Sequence, residues 1–142
     1  MFSGKAYHNI DAKGRLFIPA TFREELGNSF IVTNGYGRYL HIYTLSEWEK
    51  YLAKIDALGL DKKIRDFKRK IMLGSCPTEM DSQGRIVISK EHREFASLEK
   101  EVVFIGMTNY IEIWDSRSLA VKLAEDEEED AAGYEEFISM IK

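Results

Sequence analysis

Two short segments carry the residues most capable of chemistry: Asp11-Ala12-Lys13-Gly14-Arg15 and, 70 positions later, Asp81-Ser82-Gln83-Gly84-Arg85. Each sets a carboxylate, a glycine and a guanidinium at one fixed spacing, between a strand-like segment and a second apolar run, residues 16–18 or 86–88. The Asp carboxylate suits a tight turn in which it accepts backbone N–H groups just downstream, and the glycine supplies a positive φ. Neither requirement explains an arginine at the same offset in both copies. A guanidinium fixed at a loop presents a planar fork of donors matched to phosphates and to the guanine edge. The alternative is an Asp–Arg ion pair that only braces the loop.

Two carboxylates related by duplication also raise the question of an acid–base dyad sharing one proton. The flanking residues speak against it, because each aspartate is followed by an arginine that would hold it ionised. No catalytic residue is assigned, and the chain is read as a non-enzyme. His8, His41 and His92 share no ligand spacing with one another or with the lone Cys76, so neither a metal site, nor a disulfide, nor a cofactor is expected.

The elements that must position the loops repeat as well. A strand over residues 5–11, the first loop and a strand over 15–18 lead to Pro19, a helix over 20–26 and Gly27 as its stop. A β-branched run at 30–33, an Asn34-Gly35 turn signal and a strand over 39–43 complete the first copy. In the second copy Ser89 replaces Pro19 as the helix start, a helix is expected over 90–97, and strands follow over 102–105 and 110–114. Arg23-Glu24 recurs as Arg93-Glu94, and these arginines are expected to pair with their neighbouring glutamates. The recurrence of loop, helix and two strands marks an internal duplication of about 45 residues. Halves that small bury too little surface alone, so they are expected to share a core about a pseudo-twofold axis. Tyr39, Tyr43, Tyr110 and Trp114 fall at strand positions and read as core and sheet-edge aromatics rather than base-stacking platforms.

Between the copies the pattern turns helical. A capping box from Ser46 to Glu49 opens one helix. Asp61 caps a second, with Ile64, Phe67, Ile71 and Met72 on a buried stripe, Lys62, Arg65 and Arg69 on the other face, and Gly74 at its end. Beyond the second copy a helix starts at Ser116 or Ser118. An acidic run over 125–130 follows, and then an apolar stripe of Tyr134, Phe137, Ile138 and Ile141.

The 142-residue chain has a net charge of −4, unevenly spread. Residues 125–142 hold eight acids and one lysine, so the first 124 hold 16 acids against 19 bases, or +3. Residues 61–70 alone contain six bases and two acids, so this body can still attract a polyanion. The basic helix could track phosphates, be a solvated face, or dock the acidic run of its own or an adjacent chain. No apolar run approaches the ~20 residues that cross a bilayer, and the first five residues do not open a signal peptide, so the cytoplasm is the expected location.

At the paired loops the sequence resembles the MraZ family of bacterial transcriptional regulators, built from two tandem AbrB/SpoVT-type domains. The resemblance is carried by Met1-Phe2-x-Gly4 with His8, by Asp11-Ala12-Lys13-Gly14-Arg15, by Ile18-Pro19-Ala20 to Phe22-Arg23, and by Asp81-x-Gln83-Gly84-Arg85. It implies an α+β fold, a pseudo-dimeric double-split β-barrel of two interleaved repeats with helices packed outside. The domains would be 5–47 and 76–119, with a helical linker over 48–75 and an acidic, amphipathic helical segment over 120–142. It further implies ring-like homo-oligomers in the cytoplasm and nucleoid. These would bind tandem promoter repeats on double-stranded DNA and regulate the division and cell-wall gene cluster that includes their own gene. The DNA-contacting candidates are Arg15, Arg85 and Lys13, with Gln83 where the second loop departs from lysine, and Arg23 and Arg93 as weaker ones; Asp11, Gly14, Asp81 and Gly84 would shape the loops. The competing reading is an AbrB-like antitoxin or protein-interaction module that uses the C-terminal tail against a partner protein.

Overall fold

The computed structural model describes residues 1–129 and 131–142, and side-chain surroundings outside 128–132. The first repeat runs β1 (Lys5–Asn9), β2 (Arg15–Phe17), α1 (Ala20–Leu26), β3 (Ser29–Asn34) and β4 (Leu40–Thr44). Helices α2 (Leu45–Ala57) and α3 (Lys62–Leu73) come next. Then β5 (Cys76–Glu79), β6 (Arg85–Val87), α4 (Lys90–Phe95), β7 (Glu101–Gly106) and β8 (Ile111–Asp115) repeat the order, followed by α5 (Ser116–Glu129) and α6 (Ala131–Ile141).

The strands form a six-stranded antiparallel sheet in the order β1-β7-β8-β4-β3-β5 and a two-stranded ribbon, β2-β6. The repeats interleave. β1 of the first pairs with β7 of the second, and β5 of the second pairs with β3 of the first. The loops at Asp11 and Asp81 are therefore not hairpins, as a simple reversal would make them, but corners that carry the chain from the large sheet into the ribbon.

Two registers locate the pseudo-twofold axis. Leu16 lies opposite Ile86 in the ribbon, and His41 lies opposite Glu112 at the centre of the large sheet. Both pairs join positions equivalent by the repeat, so the axis passes through each. Alternation along the strands then sorts the side chains. Leu16 and Ile86 turn inward and join Ile18, Ile88, Phe30, Leu40, Phe104 and Ile113 in the main core. Phe22 of α1 and Ala96 just after α4 close its ends. On the opposite face of the sheet Ile31, Tyr43 and Trp48 make a second cluster under α2.

Several helix details depart from the sequence expectations. Thr44, not Ser46, caps α2, its Oγ1 accepting the Glu47 N–H at 3.1 Å, because β4 runs directly into the helix and leaves the chain extended at Thr44. Asp61 stands at the cap position of α3 but its side chain makes no capping bond. No residue of α3 is buried: only Ile71 of the expected stripe packs on the second cluster, while Phe67 and Met72 stay exposed. α4 stops at Phe95, where Ala96 closes its last turn. α5 starts at Ser116, with the Asp115 carboxylate accepting the N–H groups of Arg117 and Ser118 at 3.2 and 3.3 Å, a cap the sequence reading overlooked. Among the described residues no helix is long and apolar enough to cross a membrane.

Candidate nucleic-acid interface

Each Asp-x-x-Gly-Arg loop is wound around its own aspartate. Asp11 Oδ1 accepts the backbone N–H groups of Lys13 and Arg15, both at 2.9 Å, while Oδ2 accepts Arg15 Nε at 2.6 Å. In the second loop Asp81 takes Gln83 and Arg85 in the same way, at 2.9 and 2.9 Å, with Arg85 Nε at 3.0 Å. The backbone N–H of Arg15, then its side chain, hold the Asp11 carboxyl below its ordinary range, and Arg85 does the same for Asp81. Gly14 and Gly84 have φ of 85° and 83°, the conformation that favours glycine. The Asp–Arg pair is thus formed in both loops, but it occupies only one edge of each guanidinium. Among the described residues the terminal η nitrogens of Arg15 and Arg85 have no hydrogen-bond partner, and the two side chains are 44% and 29% exposed.

Register sets where these arginines lie. Arg15 pairs with Val87 and Phe17 with Arg85. With Leu16 and Ile86 turned into the core, the ribbon's outer face carries Arg15, Phe17, Arg85 and Val87. The two arginines are diagonal neighbours across the axis, about 7–8 Å apart by ordinary strand geometry. Arg85 also stands over the Phe17 ring, 5.9 Å from its centroid. Lys13 and Gln83 sit in the corners at opposite ends of the ribbon, each beside its arginine, and both are exposed.

Arg23 and Arg93 do not pair with Glu24 and Glu94. Arg23 Nε donates to the Ile18 carbonyl at 2.8 Å, and its guanidinium lies against Gly84 of the other repeat, so close that a Cβ there would stand 2.5 Å from Cζ. Arg93 reciprocates across the axis, with Nη1 donating to the Ala12 carbonyl at 3.1 Å and its side chain against Gly14. Backbone bonds follow the same exchange: Ile18 N–H to Gly84 O at 2.9 Å, and Ile88 N–H to Gly14 O at 2.8 Å. Each loop is therefore clasped by the helix of the opposite repeat. The signal was present in the shared offset of 70 that relates both loops and both arginines, but a repeat offset cannot say that contacts cross between copies. We expect Arg93→Ala to cost about 1.5–3 kcal/mol, the usual worth of a charged hydrogen bond. Faster hydrogen exchange at Lys13, Gly14 and Arg15, with no matching change at Gly84, is the measurement that checks it.

The remaining charged and polar candidates fall away from this face. In α3, Lys62 and Arg69 both reach Asp66, at 3.0 Å each, and Lys68 reaches Asp56 at 2.6 Å, so its ion pairs are internal to the α2–α3 region. Asp130 of the acidic run, and the side chains of Glu128 and Glu129, lie outside the described residues. His92 Nε2 is 2.7 Å from the Gly74 carbonyl. His41 is buried among Tyr36, Tyr39, Tyr43 and Tyr110, and Tyr39 stacks on Trp114 at 4.3 Å. Among the described residues no group of three potential ligands could hold a metal ion.

Comparison with known proteins agrees with the duplicated architecture. The family model described as MraZ protein matches twice, over residues 1–70 and 71–136. The chain is 48% identical over 115 residues, 80% of each chain, to a protein of Thermoanaerobacter sp. strain X514 named Transcriptional regulator MraZ. Proteins of the same name from Halothermothrix orenii and Acetivibrio thermocellus are each 46% identical, over 82% and 81% of both chains. Two tandem matches that together span most of the chain, and relatives aligned over four fifths of their length, place this protein in the MraZ family.

Proposed function

We propose that this protein is a sequence-specific DNA-binding transcriptional regulator that grips duplex DNA with the outer face of the β2-β6 ribbon. The observation that carries the reading is the ribbon register: two arginines, each fixed through Nε by an aspartate, flank a twofold axis on one solvent-facing surface with their η nitrogens unpaired among the described residues. A two-stranded antiparallel ribbon has the width of the major groove. Arg15 and Arg85 supply forks for guanine or phosphate, Lys13 and Gln83 flank them, and Phe17 and Val87 offer apolar contact to thymine methyl groups. Arg23 and Arg93 serve as positioning residues that hold the loops.

One ribbon neutralises few phosphates, and affinity grows with their number. A ring-like homo-oligomer on tandem promoter repeats, engaging several ribbons at once, gains effective concentration. The family resemblance supports that assembly, the double-split barrel closed by the ribbon, and a target in the division and cell-wall gene cluster that includes the protein's own gene. A cytoplasmic, nucleoid-associated location follows from such a role. The test is a fluorescence-anisotropy titration on the DNA upstream of that gene. Arg15→Ala and Arg85→Ala are each expected to weaken binding roughly 10- to 100-fold, the worth of one bidentate contact at about 1–3 kcal/mol. Light scattering should report an unchanged assembly. Unaltered affinity from an intact assembly would refute the assignment.

A further inference from the structure

A pocket of about 190 Å³ opens beside α2, on the face of the sheet turned away from the main core. Tyr43, Tyr51 and Tyr110 line it, together with the exposed Lys50 and Lys54 of α2. The three rings lie nearly parallel: Tyr43 stands 5.3 Å from Tyr51 with 21° between planes, and 5.5 Å from Tyr110 with 26°. Tyr36, between two glycines of the β3–β4 loop, adds a fourth ring whose hydroxyl meets that of Tyr51 at 2.7 Å. The second repeat shows that the fold does not need these residues. By the offset that sets His41 opposite Glu112, Met107 stands in place of Tyr36, Val121 of Lys50, Lys122 of Tyr51 and Glu125 of Lys54. Nor is the cluster closed as a core would be. Tyr36, Tyr43 and Tyr110 surround His41, yet its Nε2, and Oγ1 of Thr33 on the paired strand, are buried with no hydrogen-bond partner among the described residues. Packing alone rarely leaves such atoms unpaired.

We propose that this pocket binds a small aromatic carboxylate, a single ring bearing one acid group. Parallel phenol rings offer faces and edges against which a further planar ring stacks. Charge then selects the sign of the ligand. Glu47 is taken up by Lys50 at 3.3 Å, while Lys54 has no ion pair among the described residues, so two lysines against one glutamate leave the pocket positive. That charge repels the ammonium ligands which tyrosine cages otherwise attract. Size selects a single ring: a cavity of about 150 Å³ holds benzene, so this one has room for a ring with small substituents but not for a fused base with its sugar. The phenol hydroxyls and the Asn109 amide can bond a hydroxyl on that ring. The site lies on the other side of the sheet from the β2-β6 ribbon, and the inference does not rest on the DNA reading.

The test is a calorimetric titration of the full chain with 4-hydroxybenzoate. A ligand of about ten heavy atoms is expected to bind with a dissociation constant on the order of 0.1 mM. Cyclohexanecarboxylate keeps the acid without the aromatic ring, and benzyltrimethylammonium keeps the ring with the opposite charge; each is expected to bind at least roughly 10-fold more weakly. Lys54→Glu alters an exposed side chain and is expected to weaken 4-hydroxybenzoate roughly 10-fold, the loss of one charged hydrogen bond. Lys63→Glu makes the same charge change on α3 and is expected to leave binding as it was. Tyr110→Leu, checked for folding by circular dichroism, is expected to weaken it as well. No heat at millimolar probe, equal binding of the saturated acid or of the ammonium, or a Lys54→Glu chain that binds as wild type overturns the proposal. So does an equal loss in Lys63→Glu, which would show only a general response to net charge.

Discussion

Gly14→Ala is expected to destabilise the protein by about 2–5 kcal/mol, and Gly84→Ala by roughly half as much, although the two glycines are sequence equivalents with nearly the same φ. Both variants incur the strain of a side chain at positive φ, worth about 1–3 kcal/mol. They differ in what the new methyl group meets. At Gly14 it would stand 2.5 Å from the Ile88 carbonyl oxygen, which is tied into the ribbon's end and can move only if the exchanged Ile88–Gly14 hydrogen bond moves with it. At Gly84 the nearest atoms belong to the Arg23 guanidinium, at 2.5–2.8 Å, and a long side chain can swing aside. Urea midpoints of the two variants decide the matter; equal losses would show that backbone conformation alone sets the cost. Since whole domains are stable by only about 5–15 kcal/mol, the larger loss would also lower the yield of folded protein.

Acidification is the second large effect. His41 is buried, its Nδ1 3.2 Å from the Tyr43 hydroxyl and its Nε2 without a hydrogen-bond partner among the described residues. Burial pushes the imidazole down from its ordinary 6.5 to about 4. The groups that face it are the rings of Tyr36, Tyr39, Tyr43 and Tyr110, and on the neighbouring strands Thr33 and Glu112, whose carboxylate accepts Trp114 Nε1 at 2.8 Å. The folded state therefore binds fewer protons than the unfolded chain between pH 6.5 and 4. Stability is full above pH 6.5 and falls as pH drops through that window, by about 3 kcal/mol at its acid end. Asp11 and Asp81 lose protons more readily in the fold than out of it, so their contribution fades only at still lower pH. Urea unfolding across this range, compared with His41→Gln, isolates the imidazole. An NMR titration in which His41 protonates near 6.5 would contradict the prediction directly.

Much of this was legible in the residues. The duplication announced itself through loops, caps and aromatic-flanked strands at a common offset, and alternation in 15–17 and 85–87 already implied which residues point outward. What escaped were relations between distant parts of the chain. The Arg23–Glu24 and Arg93–Glu94 pairing was a local guess, and the structure sends both arginines to the opposite repeat instead, because interleaving brings Gly84 and Gly14 within reach. The α3 stripe has the periodicity of a buried face, yet periodicity states only that a helix has an apolar side, and α3 meets too little of the body to cover more than Ile71. Thr44 displaced Ser46 as a cap because a strand ending on a threonine can pass directly into a helix without a loop.

The pairing of His41 with Glu112 on the pseudo-twofold axis has one more implication. In an assembly of two identical single-repeat chains, any residue on that axis must confront its own twin, so a charge there would always meet a like charge. Joining the repeats in one polypeptide removes that constraint, and an imidazole can face a carboxylate at the centre of the sheet. The same freedom allows Lys13 and Gln83 to differ at the two ends of the ribbon, giving an outwardly twofold surface a built-in direction.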